Sequence, residues 1–242
     1  MVNSGFFYAP DIEAISVLPE EESEHAVRVL RLREGDEINI TDGKGFFYRA
    51  SISLAHPKHC EVNIIETMLN TSLRTFKIHI ALAPTKQTDR VEWFVEKATE
   101  IGIDAITFLN CRYSERREIN TGRIEKKMIS AMKQSQSPLL PQLSGMIAFK
   151  DFVGKQFDGD KFIAHCGEGE KSFLQQIYAA GENALILIGP EGDFSADEIS
   201  LAIAQGFKPV TLGQNRLRTE TAGLVGCHTI QLLNQLESKE ID

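Results

Sequence analysis

From Lys77 to the end of the chain, short apolar runs take turns with longer stretches whose apolar positions recur every three or four residues. The runs KIHIALA (77–83), DAITFLN (104–110), KFIAHC (161–166), ALILIG (184–189) and KPVTLG (208–213) have the length of strands. Between them, Val91, Phe94, Val95, Ala98 and Ile101 mark a helix that follows Asp89 and closes at Gly102. Further helices are expected within 119–136, around 171–180, from about 196 to 205 and from about 219 to 236. Such alternation predicts an α/β domain with a mostly parallel sheet covered by helices. Ligands of these sheets lie beyond the carboxyl ends of strands. Three strand ends are therefore the places to search: AHCGEGE (164–170), IGPEGDF (188–194) and LGQNRLRTETA (212–222).

The first seventy or so residues have a different period. EINITDGKGFFYRASISL (37–54) holds two strand-like runs around Asp42-Gly43-Lys44-Gly45, a strong hairpin signal. Before it, Ala26, Val29, Leu30 and Leu32 fit a short helix that Gly35 ends, and CEVNIIET (60–67) reads as a third strand. A domain boundary is placed near residue 72.

Composition bounds the class. At 242 residues, 42% hydrophobic and 25% charged, the chain has the make-up of a soluble globular protein. No leader-like segment opens it, and its apolar runs are too short to cross a bilayer. Cys60, Cys111, Cys166 and Cys227 lie far apart with no paired spacing, so they read as reduced thiols of a cytoplasmic protein. No metal site is expected, and HPKHC (56–60) reads as a polar turn because no second ligand cluster follows it. A net charge of −8 opposes nucleic-acid binding in general. Residues 111–133 are an exception: Arg112, Arg116, Arg117, Arg123, Lys126, Lys127 and Lys133 face only Glu115, Glu118 and Glu125.

The loop after ALILI resembles a phosphate cradle with the wrong charges. Gly189, Pro190 and Gly192 set a tight turn, but Glu191 and Asp193 disfavour an anion. Ser195 and Glu198 have capping-box spacing and are assigned to folding. Gly167-x-Gly169 lacks the third glycine of a dinucleotide loop, and Asp160-Lys161 stands where a P-loop needs Lys-Ser or Lys-Thr. A phosphate-free ligand with a base edge and a positive centre suits these loops better. In the third loop, Thr219 is expected to N-cap the last helix. Arg216 and Arg218 sit at a helix start, where the macrodipole is already positive, so their placement points to an electron-rich target.

LIGPEGDFSADEI (187–199) and LGQNRLRTETA (212–222), with KATEIGI (97–103) and HAVRVLRLREGDEI (25–38), resemble the bacterial RsmE family over nearly the whole chain and in the same order. These are S-adenosylmethionine-dependent methyltransferases of the SPOUT superfamily that act on N3 of a uridine in 16S ribosomal RNA. The resemblance implies a PUA-like β-barrel for residues 1–72 that helps hold RNA, then a SPOUT domain for 73–242 with a C-terminal trefoil knot, acting as a homodimer on the small ribosomal subunit. It carries the cofactor pocket onto Ala164 and His165, onto Leu187, Ile188, Gly189, Pro190, Glu191 and Gly192, and onto Leu212, Gly213, Arg216, Leu217, Arg218, Thr221 and Ala222. It carries RNA contacts onto Arg28, Arg31 and Arg33, beside the basic Arg112, Arg116 and Arg117. Arg218, with Arg216 as a second candidate, would stabilise the anion formed when uridine N3 loses its proton, and Glu220 would be the general base or an orienter of Arg218.

Two departures stand out. Related sequences carry Gly-Arg where this chain has Gln136-Ser137, and residues 1–72 hold twelve acidic against six basic residues. The rival readings are a non-catalytic RNA-binding assembly factor with the same fold and an unrelated nucleotide-binding α/β enzyme.

Overall fold

The computed structural model describes residues 6–70 and 74–237. It divides into two compact units. One takes the described residues up to 70 together with Ile129–Leu140; the other holds Arg74–Met128 and the chain from Pro141 onward.

In the first unit, β1 (Phe6–Tyr8), β2 (Glu37–Thr41), β3 (Phe46–Leu54) and β4 (Glu61–Leu69) form one sheet in that order. β1 runs parallel to β2, and the other pairs are antiparallel. The β2–β3 turn forms where the sequence places it, because Asp42 Oδ1 accepts the N–H groups of Lys44 (2.7 Å) and Phe46 (3.1 Å). Phe7, Ile38, Ile40, Tyr48, Ile52 and Val62 build its core beneath the short helices α1 (Ile12–Ile15) and α2 (Glu20–Glu24). One expectation is corrected: the helical run does not reach Gly35. α2 passes into a π-turn over His25–Val29, and Arg31 then adopts φ 58°. That left-handed residue stops the run before Gly35, which lies in a later turn.

The second unit contains β5 (Ile78–Leu82), α3 (Thr88–Ile101), β6 (Ala105–Asn110) and α4 (Thr121–Gln134), whose residues from Ile129 belong to the first unit. Next come β7 (Gln142–Ala148), α5 (Phe149–Val153), β8 (Asp160–Ala164), β9 (Ser172–Phe173), α6 (Leu174–Ile177) and β10 (Ala184–Ile188). The chain then runs through α7 (Ala196–Ala204) and β11 (Lys208–Thr211) into α8 (Thr219–Glu237). Its seven strands lie in the order β7-β6-β5-β10-β8-β11-β9, every pair parallel. All five residues of β10 are buried, which is why ALILI is apolar without alternation.

Two differences from the sequence reading are local. β7 and α5 were not anticipated, because QLSGMIA is an edge strand with a weak apolar pattern. The helix expected around 171–180 is a single turn, α6, preceded by the two-residue β9. After α4, Gln136 takes φ 54°, the left-handed position that favours glycine, and the Ser137 N–H returns to the Met132 carbonyl at 3.0 Å. Gln136, a non-glycine residue, holds this backbone at a cost of about 1–2 kcal/mol. Among the described residues, no helix is long and apolar enough to cross a membrane.

α8 packs closely on β5 and α3. A Cβ at Gly223 would stand 2.7 Å from Phe94 and 2.9 Å from Leu82, both fully buried. Gly223→Ala therefore lowers stability by about 1–2 kcal/mol, the overpacking cost exceeding the gain in helix propensity. A shift of the urea midpoint to lower concentration measures it.

His79 on β5 is packed against Phe152, and its Nε2 lies 2.9 Å from Thr107 Oγ1. Burial lowers its pKa from 6.5 to about 4. The unfolded chain then takes up a proton below pH 6.5 that the folded chain refuses until about pH 4. This contribution is intact above pH 6.5 and is lost as pH falls, reaching on the order of 3 kcal/mol by pH 4. In urea titrations, His79→Gln gains stability relative to the wild type across that interval.

Candidate functional site

β8 lies between β10 and β11, with Ala164 level with Ile188 on one side and with Val210 on the other. The three loops singled out in the sequence therefore leave adjacent strands at the same edge of the sheet. They surround a cavity of about 310 Å³, within the usual range for small-molecule sites. Its wall takes Cys166 from the first loop, Ile188 to Glu191 and Asp193 from the second, and Arg216 to Glu220 with Ala222 from the third. A smaller recess of about 70 Å³ adjoins it through Cys166, Arg216, Leu217 and Ala222, and takes Ala164, His165, Leu212 and Gly213.

The two carboxylates of the second loop are engaged with backbone. Glu191 Oε1 accepts the Lys86 N–H at 3.0 Å. Asp193, at φ 67°, accepts the Cys166 N–H on Oδ2 (2.7 Å) and the Phe194 N–H on Oδ1 (2.8 Å). They brace neighbouring loops by hydrogen bonds to an ionised acceptor, the stronger kind. Ser195 and Glu198 form the expected capping box at the start of α7, and Glu198 Oε1 also takes the Arg112 N–H at 2.8 Å.

Thr219 is not the N-cap of α8. The Arg218 carbonyl accepts the Ala222 N–H at 2.8 Å, so Arg218 holds the cap position. The buried Thr219 hydroxyl donates instead to the Gly189 carbonyl at 3.0 Å, tying the second loop to the third. Arg216 does the same from the other side, donating from Nη2 to the Glu191 carbonyl at 3.3 Å. The Arg218 guanidinium lines the cavity with no partner among the described residues.

Glu220 also lines the cavity, with its side chain 9% exposed. Its Oε1 stands 3.7 Å from Arg90 Nε, and its Oε2 has no hydrogen-bond partner. Arg90 is the wall residue that the sequence reading missed. It sits in the first turn of α3, 130 positions before Glu220, and no motif marks it. His165 stays neutral near pH 7 because burial and the nearby Lys171 lower its pKa, against a smaller opposing effect of Asp193. Three expected cofactor positions give no lining atoms to either cavity: Leu187 is buried within β10, Gly192 lies under Tyr113, and Thr221 sits in the first turn of α8.

The basic positions divide by what they touch. Arg116 braces the loop after β5, with Nε to the Thr85 carbonyl (3.0 Å) and Nη2 to the Lys86 carbonyl (2.5 Å). Arg123 pairs with Glu92, Lys127 with Glu96 and Lys133 with Glu22, so the free positive charge of 111–133 is smaller than the sequence suggests. Arg112 and Arg117 are exposed, and Arg112 lines a recess with Tyr113, Lys150 and Asn110 beyond the ends of β6 and β7. In the first unit, Arg28 pairs with Glu24 at 2.5 Å, while Arg33 meets Asp36 through its backbone N–H at 2.7 Å. Arg31 occupies the left-handed position after the π-turn.

A parallel α/β unit with its cavity among three knit loops, and a small β-unit, are matched by the two domain models of a class of RNA methyltransferases. The family model for the RNA methyltransferase domain matches residues 72–231, and that for the RNA methyltransferase PUA domain matches 18–65. The ribosomal RNA small subunit methyltransferase E of Synechocystis sp. is 30% identical over 232 residues, covering 92% of this chain and 74% of the relative. The crystal structure of a probable rRNA-methyltransferase from Porphyromonas gingivalis superposes with a TM-score of 0.91 at 42% identity, over 96% of this chain and 99% of that one. The ribosomal RNA small subunit methyltransferase E of Neisseria gonorrhoeae, solved bound to S-adenosyl methionine, gives 0.84 at 26% identity, over 96% and 98%. This chain belongs to the ribosomal RNA small subunit methyltransferase E family.

Proposed function

We propose that the protein transfers a methyl group from S-adenosylmethionine to N3 of a uridine in 16S ribosomal RNA. The carrying observation is the cavity at the ends of β8, β10 and β11, whose wall holds Arg90 and Arg218, neither with a hydrogen-bonded side-chain partner among the described residues, together with the largely buried carboxylate of Glu220. The donor set suits that cofactor. Ile188, Pro190, Leu217 and Ala222 offer apolar surface for a flat ring. When bound, S-adenosylmethionine supplies an electrophilic methyl on a positively charged sulfur, which keeps the bonding pair as the nitrogen takes the methyl.

The residues of this chain do the rest. Glu220 receives the N3 proton, and Arg218 holds the charge that spreads over the flanking carbonyl oxygens. Arg216 and Thr219 fix the second and third loops against each other, which keeps the two reactants in line. Arg112, Arg117, Tyr113 and Lys150 offer phosphate and stacking contacts to RNA from the second unit, and Arg31 and Arg33 offer charge from the first. The substrate is the small ribosomal subunit, and the enzyme works as a cytoplasmic homodimer. Trp93 on α3 and Leu232 and Leu236 on α8, all exposed, supply apolar surface for that pairing.

Calorimetry with S-adenosylmethionine, followed by transfer of labelled methyl to unmethylated small subunits, tests the reading. Binding with transfer supports it. Binding without transfer favours the assembly factor, and no binding favours the nucleotide enzyme.

A further inference from the structure

Arg90 and Glu220 come from different helices and meet only in the cavity wall. Their 3.7 Å separation is too long for a hydrogen bond, so the pair leaves the donors of Arg90 uncommitted. The Arg90 side chain is nevertheless only 32% exposed. Leaving a partly exposed guanidinium without a hydrogen bond costs little, but the bare Glu220 Oε2 is costly. A ligand in the cavity can accept from Arg90 and donate to Glu220 Oε1, the oxygen not shut away from it. An ion pair formed only to secure the two helices would close the gap and satisfy both oxygens.

We infer that Arg90, Glu220 and Arg218 form a donor–acceptor–donor array that reads the imide edge of the acceptor base; this rests on the methyltransferase reading above. The edge of uracil runs carbonyl, N–H, carbonyl, the complement of that array. Glu220 Oε1, the carboxylate oxygen beside Arg90 that the cavity reaches, accepts the N3–H, while Arg90 donates to one flanking carbonyl oxygen and Arg218 to the other. The edge of cytosine would set its amino group against a guanidinium and its N3 lone pair against the carboxylate. That is two mismatches, each leaving buried polar groups unpaired, the strongest form of discrimination a site can have.

The proton balance follows from the same contacts. The N3–H bond breaks toward Glu220 Oε1, the electron pair stays on N3, and the negative charge spreads onto the two carbonyl oxygens that the arginines hold. The two guanidinium groups stabilise the imide anion at the carbonyl oxygens where its charge develops. After methylation, the carboxyl proton returns to water. Arg90 is thus a catalytic residue in its own right rather than a counter-ion for Glu220.

Arg90→Met and Arg90→Lys in the full-length protein test this by labelled methyl transfer to unmethylated small subunits, with S-adenosylmethionine affinity measured by calorimetry. Arg90→Met is expected to lower kcat/KM for the subunit by about 10²–10³ while the cofactor Kd changes less than threefold. Its remaining activity should climb with pH, as the imide ionises unaided, on a steeper profile than the wild type. Arg90→Lys keeps the charge beside Glu220 but loses the planar fork. It is expected to hold the wild-type urea midpoint and still lose tenfold or more in kcat/KM. A tenfold weaker cofactor Kd in either variant would assign Arg90 to the cofactor and overturn the proposal. So would wild-type transfer by Arg90→Lys, or an Arg90→Met pH profile parallel to that of the wild type. Failure of the wild type itself to transfer methyl would instead overturn the methyltransferase reading.

Discussion

Arg218→Ala lowers methyl transfer to the small subunit by about 10²–10³, with the S-adenosylmethionine Kd held within threefold. The magnitude is that of removing one fixed donor from a site where charge develops in the transition state. Among the described residues this guanidinium has no hydrogen bond or ion pair, whereas Arg216 is bound to the Glu191 carbonyl. Removing Arg216 should therefore weaken the join between two loops, while removing Arg218 strikes the reaction. Single-turnover rates with calorimetry on the same samples separate the two effects. Equal losses of rate and affinity would make Arg218 part of the cofactor wall and end the role given to it here.

Glu220→Gln is the second large effect. The amide keeps the volume and polarity of the buried side chain but no longer takes a proton at this site, so kcat falls by about 10²–10⁴. Thermal stability should change little, because the nearest charge, Arg90, is 3.7 Å away and no hydrogen bond is lost on Oε2. The Arg218→Ala/Glu220→Gln double variant should lose less than the product of the single losses, since the two residues act on one transition state. Activity within threefold of the wild type in Glu220→Gln would move proton removal elsewhere and leave Glu220 as an ion partner alone.

Much of this site can be read from the chain before any coordinates. The three loops stand out because each follows a strand-like run, and parallel sheets gather ligands at that end. The capping box at Ser195 and Glu198 is equally visible, as its hydrogen bonds span three residues. What Glu191 and Asp193 do is not visible. Their charge argues against phosphate, but their partners are the N–H groups of Lys86 and Cys166, 105 and 27 positions away. The same limit explains the error at Thr219, which has the right chemistry for an N-cap and a better acceptor in Gly189, 30 residues upstream.

The amino-acid sequence alone determined the strand and helix periods, the hairpin at Asp42, the capping of α7 and the set of loops that carries the site. Each rests on contacts within a few residues, which spacing and side-chain chemistry encode directly. The tertiary structure decided the strand order that sets β8 between β10 and β11. It also decided which carboxylates are spent on backbone and which one keeps a free oxygen, and it brought Arg90 from α3 to the mouth of α8. Those outcomes depend on which distant segments pack together, and packing energy is shared over the whole core rather than written at any one position.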